Sequence, residues 1–180
     1  MKIGKGSWVS PKASVYGGEN IVIGDNVRID DFCILSGGEK GLKIGNHIHI
    51  AAGVKLFGGG GIIIENFAQI SVNSVVMSRL DDFSGRSLIG PCIPMKYKPT
   101  FSSSPVRICK HVIIGVGVFI MPGVIVGEGV AVGANSVVKK NCIPWKIYGG
   151  VPAHIIGSRK KAMIKLGEDF LKEYEGGDKI

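Results

Sequence analysis

A chain of 180 residues with 45% apolar and 20% charged side chains has ample material for one core. Its 28 glycines and 7% aromatics argue against a helical bundle and for short strands joined by tight turns. The formal net charge of +8 is unevenly spread: between Lys139 and Lys165 lie seven basic residues and no acidic one, which points to an anionic partner.

The first elements in chain order are faint. Ile3, Val9 and Val15 stand six residues apart and read as a worn opening turn. The same step then sharpens through Ile23, Ile29 and Leu35, through Ile44, Ile50 and Leu56, and through Ile64, Ile70 and Val76. Small insertions separate 35 from 44 and 56 from 64. After a long interruption the step returns without a break as Ile108, Ile114, Ile120, Val126, Val132 and Val138. Four residues after each of these come Val112, Val118, Val124, Val130, Ser136 and Cys142. Six residues per strand and three strands per coil predict a triangular parallel β-helix, each aliphatic stacking on its equivalent eighteen positions later. A β-sandwich would alternate with period two over longer runs, and this chain does not.

The interruption, residues 79–105, opens with "LDDF" and contains Pro91, Pro94, Pro99 and Pro105. A loop of that length is functional or disordered as a rule, and its prolines argue for a stiff one. Projecting from a solenoid corner, it is expected to wall off a substrate pocket, to brace a neighbouring subunit, or both. From Ser158 to Tyr174, apolar residues recur every three or four positions, predicting an amphipathic helix with Ser158 as N-cap and Gly176-Gly177 as stop. That helix is expected to cover the last open coil edge. The division is thus a β-helix over 1–156, with 79–105 inserted, and a helix and tail over 157–180.

Cys33, Cys92, Cys109 and Cys142 show no CxxC spacing and read as free thiols. No apolar run reaches the roughly 18 residues of a membrane helix, and the N-terminal stretch lacks the apolar core of a signal peptide. No nucleic-acid module accompanies the basic cluster. The expectation is a cytoplasmic protein without membrane insertion or nucleic acid, whose anionic partner is a phosphorylated small molecule.

The repeat, the run "VIIGVGVFIMPGVIVGEGVAVGANSVVKK" and the closing "IYGGVPAHIIG" resemble the hexapeptide-repeat acyltransferases. With "HIHIAAG", "DDFSG" and "PWKIYGGVPA", the chain is similar to sugar acetyltransferases of bacterial surface-polysaccharide (O-antigen, capsule, lipopolysaccharide) biosynthesis. The resemblance implies a left-handed parallel β-helix, a homotrimer with active sites between subunits, and acetyl-CoA as co-substrate. It places the pantetheine arm against the corners at Val116 and Ala134, the phosphates by Lys139 and Lys140, the adenine by Pro152, and the 3′-phosphate near Arg159 and Lys160. The basic cluster read from charge alone falls in the same region.

Many relatives, above all the O-acetyltransferases, carry a general-base histidine near the start of the long loop, and this loop contains none. Adjacent carboxylates in a desolvated interface raise one another's pKa, so Asp81 is a candidate base, with Asp82 holding the acceptor. Ser84 and Arg86 are candidates for a phosphate or hydroxyl contact. His49, which ends a hexapeptide at an outward corner, is the alternative base; His47 is expected in solvent, His111 near CoA and His154 on a loop surface. An amine acceptor needs less base assistance than a hydroxyl. The favoured reaction is therefore acetyl transfer to the amine of a nucleotide-linked amino sugar, with a sugar hydroxyl as the alternative. A catalytically inactive scaffold and a carbonic-anhydrase-like metal enzyme rank lower, because the four histidines do not make a convincing ligand set and no metal is expected. The residues do not name the sugar, the position or an acyl group beyond acetyl.

Overall fold

A computed structural model describes residues 1–176. The chain winds as a left-handed parallel β-helix of about seven coils with three flat faces. The first face stacks Lys2–Ile3, Ile21–Ile23, Leu42–Ile44, Ile62–Ile64, Val106–Ile108 and Ile125–Val126. The second stacks Trp8–Val9, Val27–Ile29, Ile48–Ile50, Gln69–Ile70, Ile113–Ile114, Ala131–Val132 and Lys146–Gly149. The third stacks Ser14–Tyr16, Ile34–Ser36, Lys55–Phe57, Val75–Met77, Phe119–Ile120 and Val137–Val138.

The six-residue step is the physical origin of this architecture. A two- or three-residue strand turns its last aliphatic inward, the next corner follows at once, and ladder pairing sets coils about 4.8 Å apart. Equal β-branched residues then stack into continuous columns: Ile29, Ile50, Ile70 and Ile114 are fully buried, and Val132 nearly so. The predicted register holds throughout, since Ile108 pairs with Val126, Ile114 with Val132 and Ile120 with Val138. Burying each such side chain contributes roughly 1.5–3 kcal/mol.

Two of the three corners are tight, each made by one residue in left-handed conformation. Between the first and second faces the series is Gly6, Asn26, His47, Phe67, His111, Gly129 and Trp145, with φ from 55 to 66°. Between the second and third it includes Phe32, Gly53, Asn73, Gly117 and Asn135. The third corner absorbs every insertion: the turns Gly18–Asn20 and Gly58–Gly60, the segment 37–41, and the long loop.

The C-terminus departs from expectation. Ser158 ends a return strand, His154–Ser158, that pairs antiparallel with Lys146–Gly149, and its hydroxyl accepts from Lys146 Nζ at 3.0 Å. The helix, α1, therefore begins later, at Ala162, and runs to Gly176. Gly177, the second half of the expected stop, lies outside the described residues. Nor does α1 cover the open coil edge. It runs back along the first tight corner, where Phe170 and Tyr174 meet His47 edge-on at 5.1 and 5.4 Å and Tyr174 donates to Asn26 Oδ1 at 3.1 Å. His47, expected in solvent, instead stacks on Phe67, which stacks on His111.

Candidate active site

The long loop leaves the third corner through a short antiparallel pair, Arg79–Leu80 with Ser102–Ser103, and is braced from within. Leu88 N–H donates to Tyr97 O at 3.0 Å, and the Ser87 and Thr100 hydroxyls are 2.5 Å apart. The aspartates that open it do separate jobs. Asp82 accepts from Ser84 N–H and Oγ on one oxygen and from Arg86 and Ser87 N–H on the other, at 2.7–3.2 Å. Those bonds, led by the Ser84 hydroxyl, pull its pKa down to about 2. A carboxylate offers about four acceptor positions, and here all are filled. The expected acceptor-holding role of Asp82 thus meets a group occupied in shaping the turn, and Ser84 and Arg86 are members of the same turn.

Asp81 faces the other way. Lys98, buried within the loop, brings Nζ to 2.5 Å from Asp81 Oδ1, donates to Gly90 O at 3.1 Å and lies 4.5 Å from the Phe101 ring centroid. Asp81 Oδ2 also accepts from Gly90 N–H. The Lys98 hydrogen bond, then that of Gly90, holds the carboxyl below its usual range. The expected mutual rise in pKa does not occur, because each aspartate has its own donors; a carboxylate held this way is a weak proton acceptor near neutral pH.

His49 lies mid-strand on the second face rather than at a corner, between Arg28 below and Gln69 above. Its Nε2–H donates to Asp30 Oδ2 at 2.7 Å, and Arg28 Nε donates to Asp30 Oδ1 at 2.7 Å. Burial pushes the Asp30 carboxyl up, but the bonds from His49 and Arg28 outweigh it and the net direction is down. The ionised partner fixes the tautomer and leaves Nδ1 of the neutral ring as an acceptor. Sequence reading missed Asp30 and Lys98. Asp30 had a signal, since residues about one coil apart lie side by side; Lys98, in an irregular loop, had none.

The expected CoA contacts fall on three corners. Val116, Ala134 and Pro152 are exposed on successive coils between the second and third faces, where Asn135 N–H donates to Val116 O. Lys139 and Lys140 are exposed at the third corner, above the root of the loop. Arg159 is turned inward at the first, where Nη1 donates to His111 O at 2.7 Å and Gly129 O at 3.1 Å; burial lowers its pKa. That guanidinium pins the link to α1, whereas Lys160 is exposed. Among the described residues, no three His, Cys, Asp or Glu side chains form a group that could hold a metal ion, and no helix is long and apolar enough to cross a membrane.

The bacterial transferase hexapeptide (six repeats) family matches residues 105–140. A dTDP-4-amino-4,6-dideoxy-D-glucose acyltransferase from Escherichia coli is 42% identical over 178 residues, 99% of this chain and 92% of that protein. The chain belongs to the hexapeptide-repeat acyltransferases. Among solved structures, AntD, an N-acyltransferase from Bacillus cereus, superposes on this acyltransferase with a TM-score of 0.91 at 48% identity, over 96% of this chain and 91% of that one. AntD has been solved with dTDP and coenzyme A, with dTDP-4-amino-4,6-dideoxyglucose and coenzyme A, and with dTDP and 3-hydroxybutyryl-CoA. A hexapeptide-repeat acetyltransferase from Vibrio cholerae shares the fold at 23% identity, with a TM-score of 0.56 over 89% of this chain and 74% of that one.

Proposed function

We propose that this acyltransferase moves an acyl group from acyl-CoA to the amine of a dTDP-linked 4-amino-4,6-dideoxy sugar, in bacterial surface-polysaccharide biosynthesis. The observation that carries the reading is near-full-length identity, above 40%, to proteins described as acting on or binding that nucleotide sugar. The deprotonated amine attacks the thioester carbonyl, a backbone amide stabilises the oxyanion, and the C–S bond breaks. The departing sulfur takes up the proton the nitrogen loses, so no strongly basic side chain is required.

Asp81, rather than Asp82, is the loop carboxylate with capacity left to accept a hydrogen bond from the acceptor's neutral amine, which has given its ammonium proton to solvent before it attacks. Spacing supports this: AntD was solved with substitutions at a serine and at an aspartate ten positions later, and Ser71 and Asp81 stand ten apart here. Val116, Ala134, Lys139, Lys140, Pro152 and Lys160 are retained as CoA contacts. The working unit is proposed as a cytoplasmic homotrimer, in which Phe83, Leu88, Ile89 and Met95, exposed on the loop, are covered by a neighbouring subunit.

The test is a mass-shift assay with acetyl-CoA and 3-hydroxybutyryl-CoA against dTDP-4-amino-4,6-dideoxyglucose and its 4-hydroxy counterpart. Acylation confined to the amine is expected, and acylation of the hydroxyl sugar alone overturns the reading. The oriented His49–Asp30 pair is the one geometry that favours hydroxyl acylation instead. A general base contributes about 10²–10⁴-fold, so His49→Ala losing less than about tenfold in kcat would separate the two.

A further inference from the structure

Among the described residues one charged residue is buried, and it lies in the long loop: Lys98 is 6% exposed. Its backbone is fixed from both sides. The turn Met95–Tyr97 ends at it, with Lys98 N–H donating to Met95 O at 2.9 Å, and Phe101 N–H donates to Lys98 O at 3.1 Å. The side chain then runs inward to three groups far apart in sequence: the Asp81 carboxylate, the Gly90 carbonyl and the face of the Phe101 ring. An ammonium has three N–H donors and no acceptor, so these contacts leave it nothing for a ligand.

A brace alone does not require this residue. Apolar side chains of similar volume hold a loop at least as well as a buried ion pair, whose desolvation offsets most of its attraction. What a lysine supplies, and a leucine does not, is a fixed and ionised carboxylate beside it. The two Asp81 oxygens are unequal. Oδ1 is sealed from solvent beside Lys98 Nζ, while the Asp81 side chain as a whole is 33% exposed. Oδ2 accepts from Gly90 N–H at 2.9 Å and has a second lone pair. The open end of the carboxylate is therefore Oδ2.

We propose that Lys98 is a positioning residue for acyl transfer, holding Asp81 with Oδ1 inward and the free lone pair of Oδ2 aimed at the acceptor's amine. With its donors filled, Lys98 acts through Asp81 and not on the substrate. Without it, Oδ1 is a buried carboxylate oxygen with no cation beside it, and the group either swings out to water or takes up a proton. Both outcomes remove the acceptor that the amine meets. The proposal rests on the reading of Asp81 above and adds how that carboxylate is held.

Steady-state kinetics on the intact protein, with acetyl-CoA and dTDP-4-amino-4,6-dideoxyglucose, tests it through Lys98→Met, Lys98→Arg, Asp81→Asn and the double variant Asp81→Asn/Lys98→Met. Methionine keeps the apolar stem against Phe101 and removes only the charge. Lys98→Met is expected to raise KM for the amino sugar nucleotide about tenfold or more, with kcat and KM for acetyl-CoA little changed. Amide protection at 84–87, the turn built on Asp82, should stay as in the wild type, and Lys98→Arg should recover most of the loss. In the Asp81→Asn background, Lys98→Met should add less than about twofold, because the group it acts through is already gone. Losses that multiply in the double variant overturn the proposal, as does an unchanged KM in Lys98→Met. So does a loss that comes with fallen protection at 84–87 and is not recovered by arginine, since Lys98 is then only a brace. A wild type that acylates the amine while Asp81→Asn matches it removes Asp81, and Lys98 with it, but leaves the nucleotide-sugar reading standing. A wild type that does not acylate the amine sinks both.

Discussion

Asp81 and Asp82 are chemically identical neighbours whose partners give them different tasks. Asp82 organises four donors within six residues of chain, so its removal should act on the loop and not on the solenoid. In Asp82→Ala, amide exchange at 84–87 is expected to accelerate by about tenfold or more with the melting temperature unchanged. Its depressed pKa fixes the sign with pH. The contribution is complete above the ordinary carboxylate range and is lost as pH falls toward about 2, so the protection of this segment relative to the intrinsic exchange rate should fall under acid. Cys142 shows the same dependence on surroundings in another way: buried in the last coil, its thiol is pushed up to about 11 and is inert at neutral pH.

At the scale of the element, the first tight corner is a spine on which α1 is laid. Gly129 is required there because a methyl group would lie 2.4 Å from the Trp145 ring, at a φ of +66° that L side chains rarely adopt. Gly129→Ala should lower the melting temperature by several degrees, measured by calorimetry. His47 and His111 stack in the same spine, and burial lowers both pKa values below the ordinary 6.5, while Asp25 and Glu128 pull the other way and Lys110 and Arg159 add to the lowering at His111. The unfolded chain therefore binds more protons than the folded one as pH falls through about 6.5. Stability is complete above that value and declines below it. Melting at pH 7.5 against pH 5.5 should show the loss, and His47→Asn should reduce it.

The whole molecule is a one-dimensional stack, in which each coil is stabilised by its neighbours and a mid-stack defect reaches both sides. Ile114 sits in the fifth coil, fully buried between Ile70 and Val132. Ile114→Ala should cost about 2–5 kcal/mol, read as a lowered denaturation midpoint. The loop behaves in the opposite way, since most of its bonds are internal. Replacing 82–100 by a short glycine-serine link is expected to leave the solenoid folded while abolishing acyl transfer, with circular dichroism and the mass-shift assay as readouts.

The columns of Ile, Leu and Val were legible because periodicity is a local property: a side chain recurring every sixth position has one way to be buried in a three-sided coil. The insertions and an amphipathic C-terminal segment were legible for the same reason, as breaks or changes of period. The start of α1 was not, because Ser158 has the chemistry of an N-cap but the pairing of Lys146–Gly149 claims it first for a strand. The contacts of Asp81, Asp82, His47, His49 and Arg159 were equally beyond reach. Each depends on which donor, ring or carbonyl the coils and the loop bring within about 3–5 Å, and hydrogen bonds and stacks act only at that range. The sequence by itself determined the solenoid and its rhythm. The tertiary structure alone decided which polar groups are spent on holding it and which remain free for chemistry.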